Sequence, residues 1–184
     1  MNKKDTTKSK LSQIAHTSLP KWENLPEIDL YMDQVIALME KYLSDISSED
    51  SKLITSSMIN NYVKLNIMPA PIKKKYSKEH LAYLIIICTL KQVMPISNIK
   101  TMIDTKLKTN SIDEILNFFS EQYDSTFNSM FETCSNYLET HESNIKNLED
   151  TSFFAAIAAS NCINISNKVF YLNNPTKKNT EKKK

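Results

Sequence analysis

"MINNYVKLNIMPAPIKKKYSKEHLAYL", Met58 to Leu84, is the stretch that decides how this chain is read. It passes from Asn60, Asn61 and Tyr62 to Asn66, then through Pro69 and Pro71 to Lys73, Lys74 and Lys75, and into an apolar run. Ser56 and Ser57 before it are good N-caps and predict a short helix over 57–64. On that helix Met58, Ile59, Tyr62 and Val63 face inward, while Asn60, Asn61 and Lys64 face out. Asn66 should end it. A helix end favours a left-handed residue, usually Gly, and Asn is the next best. The two prolines then hold the chain extended. "IKKKY" reads as one arm of a small β-ribbon or as a loop. Ser77 caps the next helix, whose Leu81, Ala82, Leu84, Ile85, Ile86, Ile87, Cys88, Leu90 and Val93 leave it apolar nearly all round. Such a helix is central and buried.

Outward from this core, the upstream segment "LPKWENLPEIDLYMDQVIALMEKYL" carries Asn24 and Glu27 at capping spacing, with Pro26 in a tolerated first-turn position. Ile28, Tyr31, Met32, Val35, Met39, Tyr42, Leu43 and Ile46 recur at helical spacing and predict a helix over 28–46. Trp22 staples the entering chain to the core. Downstream, Pro95 starts a helix with Ile96, Ile99, Met102, Ile103 and Leu107 on one stripe. Lys108 to Asn110 mark a boundary, after which Ser111 and Glu114 form a capping box. A long amphipathic helix to about Thr140 and a last helix over 151–172 follow. Ala155, Ala156, Ala158 and Ala159 allow close approach of a neighbouring helix. The aromatic stripe through Phe119, Tyr123, Phe127 and Phe131 reads as core, with an effector pocket as the alternative.

Composition removes several function classes. The chain has 184 residues, no glycine and no arginine, so its 23 basic residues are all lysine. Without glycine there is no P-loop, no dinucleotide fingerprint and no glycine-built oxyanion turn. Cys88, Cys134 and Cys162 lie far apart, as do His16, His80 and His141, so no metal site and no cofactor are expected. The scattered thiols, the absence of a secretory signal and the lack of a membrane-length apolar run point to the cytoplasm. No Ser/His/Asp, Cys/His or paired-carboxylate arrangement has usable spacing, so catalysis is not expected.

The net charge of +2 conceals segregation. Residues 51–110 hold ten lysines against two acids, whereas 19–50 hold two against eight and 111–174 hold two against nine. A basic module between acidic ones is the electrostatic footprint of nucleic-acid binding, although a solvated basic face with no partner has the same composition. The chain divides into a disordered basic tail over 1–18, a domain over 19–110 whose basic module would bind DNA, a C-terminal helical region over 111–174 and a second disordered basic tail over 175–184.

The order of short capped helix, proline turn, basic segment, capped apolar helix and second helix resembles the MerR-type winged helix-turn-helix. The similarity lies in "TSSMINNYVKLNIMPAP", "KKKYSKEHLAYLIIICTLKQV" and "PISNIKTMI". In that family the helix bearing Asn60, Asn61 and Tyr62 would be the recognition helix. Asn60 stands where the family usually has Arg, Asn61 at the first of two usual Tyr positions, and Tyr62 keeps the second. Lys73, Lys74 and Lys75 align with the basic wing, and Tyr76 and Ser77 with its exit. The "LPKW" to "LYMDQV" opening and "SMINNYVK" also resemble an uncharacterised bacterial domain family known only by a domain-of-unknown-function label.

The resemblance implies a mainly α fold, a MerR-like winged helix-turn-helix with an N-terminal helix and a C-terminal helical region. Its expected function is transcription regulation by binding duplex DNA as a homodimer. Bases would be read by Asn60, Asn61 and Lys64. Phosphates would be held by Ser57, Tyr62, Lys73, Lys74, Lys75, Tyr76 and Lys78. The C-terminal helices would dimerise, and the identity of any small-molecule effector stays open. A non-catalytic helical adaptor that binds protein is the competing expectation.

Overall fold

Helices carry most of the described chain, which in this computed structural model comprises residues 18–44, 53–140 and 148–175. In order they are α1 Met32–Tyr42, α2 Ser56–Lys64, α3 Lys78–Leu90, α4 Ile96–Lys106, α5 Ile112–Thr140 and α6 Leu148–Asn173. Of the expected tails over 1–18 and 175–184, all but Ser18 and Pro175 lie outside the described residues, as does Ile46. The chain forms two compact units, one whose described part runs from Ser18 to Phe127 and one whose described part begins at Asn128. The first unit therefore runs past the boundary read at Lys108 to Asn110, which is a turn between α4 and α5.

In the first unit α3 is the central element. Eight of its residues, from His80 to Cys88, are buried, as expected of a helix without a polar face, but the helix ends at Leu90 and Val93, read as part of it, is exposed beyond that end. Val35 and Met39 of α1, Ile59 and Tyr62 of α2, Ile99 and Ile103 of α4 and Leu116 of α5 complete the same core. Each fully buried Leu, Ile, Val or Met of this set stabilises the fold by about 1.5–3 kcal/mol relative to exposure. The start of α5 is tied to the N-terminal segment by polar bonds. Trp22 donates its backbone N–H to Asn117 Oδ1 at 2.9 Å, and Ser120 Oγ donates to the Pro20 carbonyl at 3.0 Å.

The expected helix over 28–46 is shorter, and the reason is a long-range pairing. Leu30 donates to the Tyr76 carbonyl at 2.9 Å and Tyr76 donates to the Leu30 carbonyl at 2.8 Å. This antiparallel bridge holds residues around Leu30 extended, so α1 begins only at Met32. Asn24 does not open that helix. Its Oδ1 accepts from Lys21 N–H at 3.1 Å and closes a 3-10 turn over Trp22–Asn24. Ile28, assigned to the apolar stripe, is consequently exposed.

Helix α2 behaves as its sequence suggests, one residue longer at its start. Thr55, rather than Ser56 or Ser57, is the N-cap, and its hydroxyl accepts from Met58 N–H at 3.2 Å. At the other end Asn66 has φ of 51°. Ile67 N–H reaches back to the Tyr62 carbonyl at 3.0 Å and Asn66 N–H to the Val63 carbonyl at 2.9 Å. These two bonds make a Schellman motif, and buried Ile67 and Tyr62 supply its apolar contact.

"IKKKY" forms a two-residue hairpin turn. Ile72 and Lys75 exchange both backbone bonds, at 3.1 and 2.9 Å, while Lys73 and Lys74 sit at φ of 50° and 63°. Positive φ at both central residues is the signature of a type I′ turn, which ordinarily selects Asn-Gly. Below it, buried His80 closes the entry to α3. Its Nδ1 accepts from Ser77 N–H at 3.0 Å and lies 2.8 Å from Ser77 Oγ, while Nε2 lies 3.3 Å from the Ala70 carbonyl. An acceptor at Nδ1 places the proton on Nε2, which then donates to Ala70. The Tyr76 ring meets the His80 ring edge-on at 5.5 Å.

Two mutant pairs test these devices by chemical unfolding of the full chain. Asn66→Ala should cost about 1 kcal/mol and Asn66→Gly should cost nothing or stabilise, because only the first forces an ordinary Cβ into the left-handed region. His80→Ala should cost about 1–3 kcal/mol through the missing bond to Ser77 and the reduced packing. His80→Gln, which retains an acceptor at the third helical position, should cost less.

Candidate nucleic-acid interface

A helix packed along one side must present the other, and α2 shows which residues that rule exposes. Ile59 and Tyr62 are buried, and Met58 and Val63 pack partly against the core. Ser57, Asn60, Asn61 and Lys64 are exposed. Their spacing of three, four and seven residues from Ser57 puts all four on one outer face. The helix thus offers a hydroxyl in its first turn, two side-chain amides in its middle and an ammonium group at its end. More charge lies close by. The Schellman motif and the Pro69–Pro71 segment lead directly into the hairpin turn, where Lys73 and Lys74 are exposed.

Both turn lysines occupy backbone conformations that an ordinary residue enters at a cost of roughly 1–2 kcal/mol. Among the described residues Lys64, Lys73 and Lys74 are paired with no carboxylate. Lys75, half-buried, lies over the Tyr31 ring with Nζ 5.4 Å from its centroid. Cation–π contact of this kind holds the stem of the turn against the start of α1 while leaving the charge in place.

Three of the residues expected to hold phosphate are not presented at the surface. Tyr62 is buried as part of the inward face of α2, and burial pushes its phenol up to about 12, with Cys88 adding to the shift. Tyr76 is buried as well, with its backbone committed to Leu30 and its phenol raised by burial. Lys78 is largely covered, bonded to Glu27 and stacked over Trp22 with Nζ 5.0 Å from the ring centroid. These three residues pack beneath the candidate face. The periodicity of α2 already implies the inward position of Tyr62. The cover over Lys78 joins residues distant in sequence and leaves no local signal.

Two further residues contribute to the site. Lys100 of α4 donates to the Asn66 carbonyl at 2.5 Å and pairs with Asp104 at 3.1 Å, placing a cation at the C-terminal end of α2 where the helix dipole favours one. His80 is the other. Its only sequence sign is a polar residue three positions after Ser77, the place usually held by Glu or Gln. Cys88, the core thiol, is raised to about 11 by burial, against the opposing charge of Lys91. A thiol so held is no nucleophile at neutral pH.

No helix among the described residues is long and apolar enough to cross a membrane. No curated protein and no solved structure matches the chain. A family model does match it, over residues 20–128, which takes in the whole route from the Trp22 turn through α2, the lysine turn and α3 to the first half of α5. The chain belongs to the family described as Domain of unknown function, DUF1836.

Proposed function

We propose that the protein is a transcription regulator of MerR-like winged helix-turn-helix type that binds duplex DNA as a homodimer. The observation that carries this reading is the outer face of α2. Four polar residues stand on it, free of the core, directly before a strained turn that exposes two lysines paired with no carboxylate among the described residues. In this reading α2 enters the major groove and the lysine turn acts as the wing. A side-chain amide accepts from adenine N6–H and donates to N7, so Asn60 and Asn61 suit A·T pairs. Lys64, without the guanidinium fork, suits guanine or a phosphate. Ser57, Lys73, Lys74 and Lys75 are the phosphate-binding groups. The role is one of binding rather than catalysis.

The turn supplies affinity and the amides supply specificity. Lys73→Asn with Lys74→Gly removes both charges while installing the residues a type I′ turn prefers. The double variant should remain folded and melt no lower than the parent. Its binding should weaken on every duplex alike, with the slope of log K against log salt flattened by about 0.9 for each phosphate that is no longer neutralised. An unchanged slope takes the turn out of the interface.

Selection from a random duplex pool should return sites whose specified positions are mostly A·T. Asn60→Ala and Asn61→Ala should each cost about 1–3 kcal/mol on the selected site and little on random DNA. A pool without preference, or equal losses on both kinds of DNA, would sink base reading by these amides. Salt-insensitive capture of a protein in place of DNA would instead favour the adaptor.

A further inference from the structure

The second rung of the lysine hairpin is not made of backbone. Along an antiparallel pair, opposite residues alternate between those that exchange both hydrogen bonds and those that exchange none. Ile72 and Lys75 exchange both. Pro71 and Tyr76 come next and exchange none, in keeping with the missing N–H of Pro71 and the outward bonds of Tyr76 to Leu30. The following rung falls to Ala70 and Ser77, where a regular ladder has Ser77 N–H donating to the Ala70 carbonyl. The ring of His80 stands between these two groups instead. Ser77 N–H donates to Nδ1 at 3.0 Å, and Nε2 lies 3.3 Å from the Ala70 carbonyl. One imidazole thus joins the donor and the acceptor of that rung and ties together both feet of the turn.

The place demands a group that accepts on one side and donates on the other. Neutral imidazole does this, whereas imidazolium donates from both nitrogens and accepts at neither. A second proton sets Nδ1–H against Ser77 N–H. Ser77 Oγ, at 2.8 Å, can receive that proton but leaves the backbone N–H without its acceptor. The added charge also falls on a ring only 4% exposed. The titratable groups around it offer no compensation. On the hairpin, the Tyr76 ring meets it edge-on and Lys75 turns to Tyr31. On α3, Lys78 is bonded to Glu27 from the segment before α1, and Glu79 acts on Tyr83. Among the described residues no carboxylate is ion-paired with the ring. Protons therefore favour the untied base, since only there is Nδ1 free to bind one. The closed base holds at higher pH and is lost as pH falls through the range where histidine gains charge, from about 8 to about 5.

We infer that His80 is the positioning residue of the lysine turn, and that its relay makes the placement of Lys73 and Lys74 sensitive to acid. Both lysines are held at positive φ, and such strain persists only where the surroundings over-determine it. With the relay broken, one of the two rungs that impose the turn is gone, and the two ammonium groups lose their fixed place after α2. The relay itself rests on the hairpin geometry alone. Its consequence for a ligand rests on the DNA-binding reading: duplex affinity should fall in acid, although acid raises the net charge of the protein.

The test uses the full chain and His80→Gln, whose amide accepts and donates but does not titrate in this range. Amide hydrogen exchange at Ile72 and Lys75 is followed from about pH 8 to about pH 5 and corrected for the intrinsic rate of each amide. Protection in the parent should fall about two- to tenfold, the worth of one hydrogen bond, and should stay level in His80→Gln. The ring C–H resonances of His80 in the parent should titrate over the same interval as the fall. Level protection in the parent overturns the relay, as does a fall that does not track the ring or an equal fall in His80→Gln. Binding to a random-sequence duplex over the same interval should weaken by a similar factor in the parent and not in the variant. Equal pH responses of the two overturn the coupling to DNA. Exchange is measured without DNA, so its outcome stands apart from whether the duplex binds at all.

Discussion

Tyr76 ties the basic turn to the rest of the fold with both of its backbone groups. Its exchange with Leu30 is the one place, among the described residues, where the segment before α1 and the exit of the turn are joined as strands. Much else follows from it. Residues around Leu30 cannot be helical, so Tyr31 becomes the N-cap of α1, its N–H bonded to Gln34 Oε1 at 2.9 Å. Tyr31 is then placed beneath Lys75. Glu27 and Trp22, in the segment before α1, cover Lys78. The ring of Tyr76, turned inward, closes the core above His80. A single pair of hydrogen bonds is worth only about 1–3 kcal/mol in itself. Its larger effect is to decide which lysines remain exposed.

The parts of this fold that are legible in the sequence are those governed by local rules. The α2 face pattern, the left-handed Asn66 and the burial of α3 each follow from residues within one or two turns of each other. The differences are long-range. Nothing within reach of Asn24 announces that Leu30 pairs with a residue beyond the lysine turn, so a plausible cap and a plausible stripe predict a helix that starts too early. The lysine turn lies between these cases. Its place is evident from the prolines and lysines, but its type is not, because the residues that advertise a type I′ turn are absent.

Absence of glycine shapes the surface as much as the backbone. Among the described residues three left-handed positions fall to Asn66, Lys73 and Lys74, and each presents a polar or charged side chain where glycine would have left bare backbone. In the turn this puts two ammonium groups at the most protruding part of a tight bend, with strain that the flanking bridge and the packed ring of Tyr76 must hold. Local strain persists only where surrounding structure over-determines it. The candidate site and the rigidity of its support are therefore one feature of the sequence.

Cys88 gives the core an internal clock. Its thiol is fully enclosed on α3 and held far above neutral pH by burial, so a thiol reagent finds neither an opening nor a thiolate while the native packing lasts. Exposed Cys162 on α6 meets the same reagent at once. The lag between the two labelling events measures how often the central helix is released, and it does so at equilibrium, without denaturant. Any partner that grips the first unit alone lengthens the delay at Cys88 and leaves the prompt reaction at Cys162 untouched.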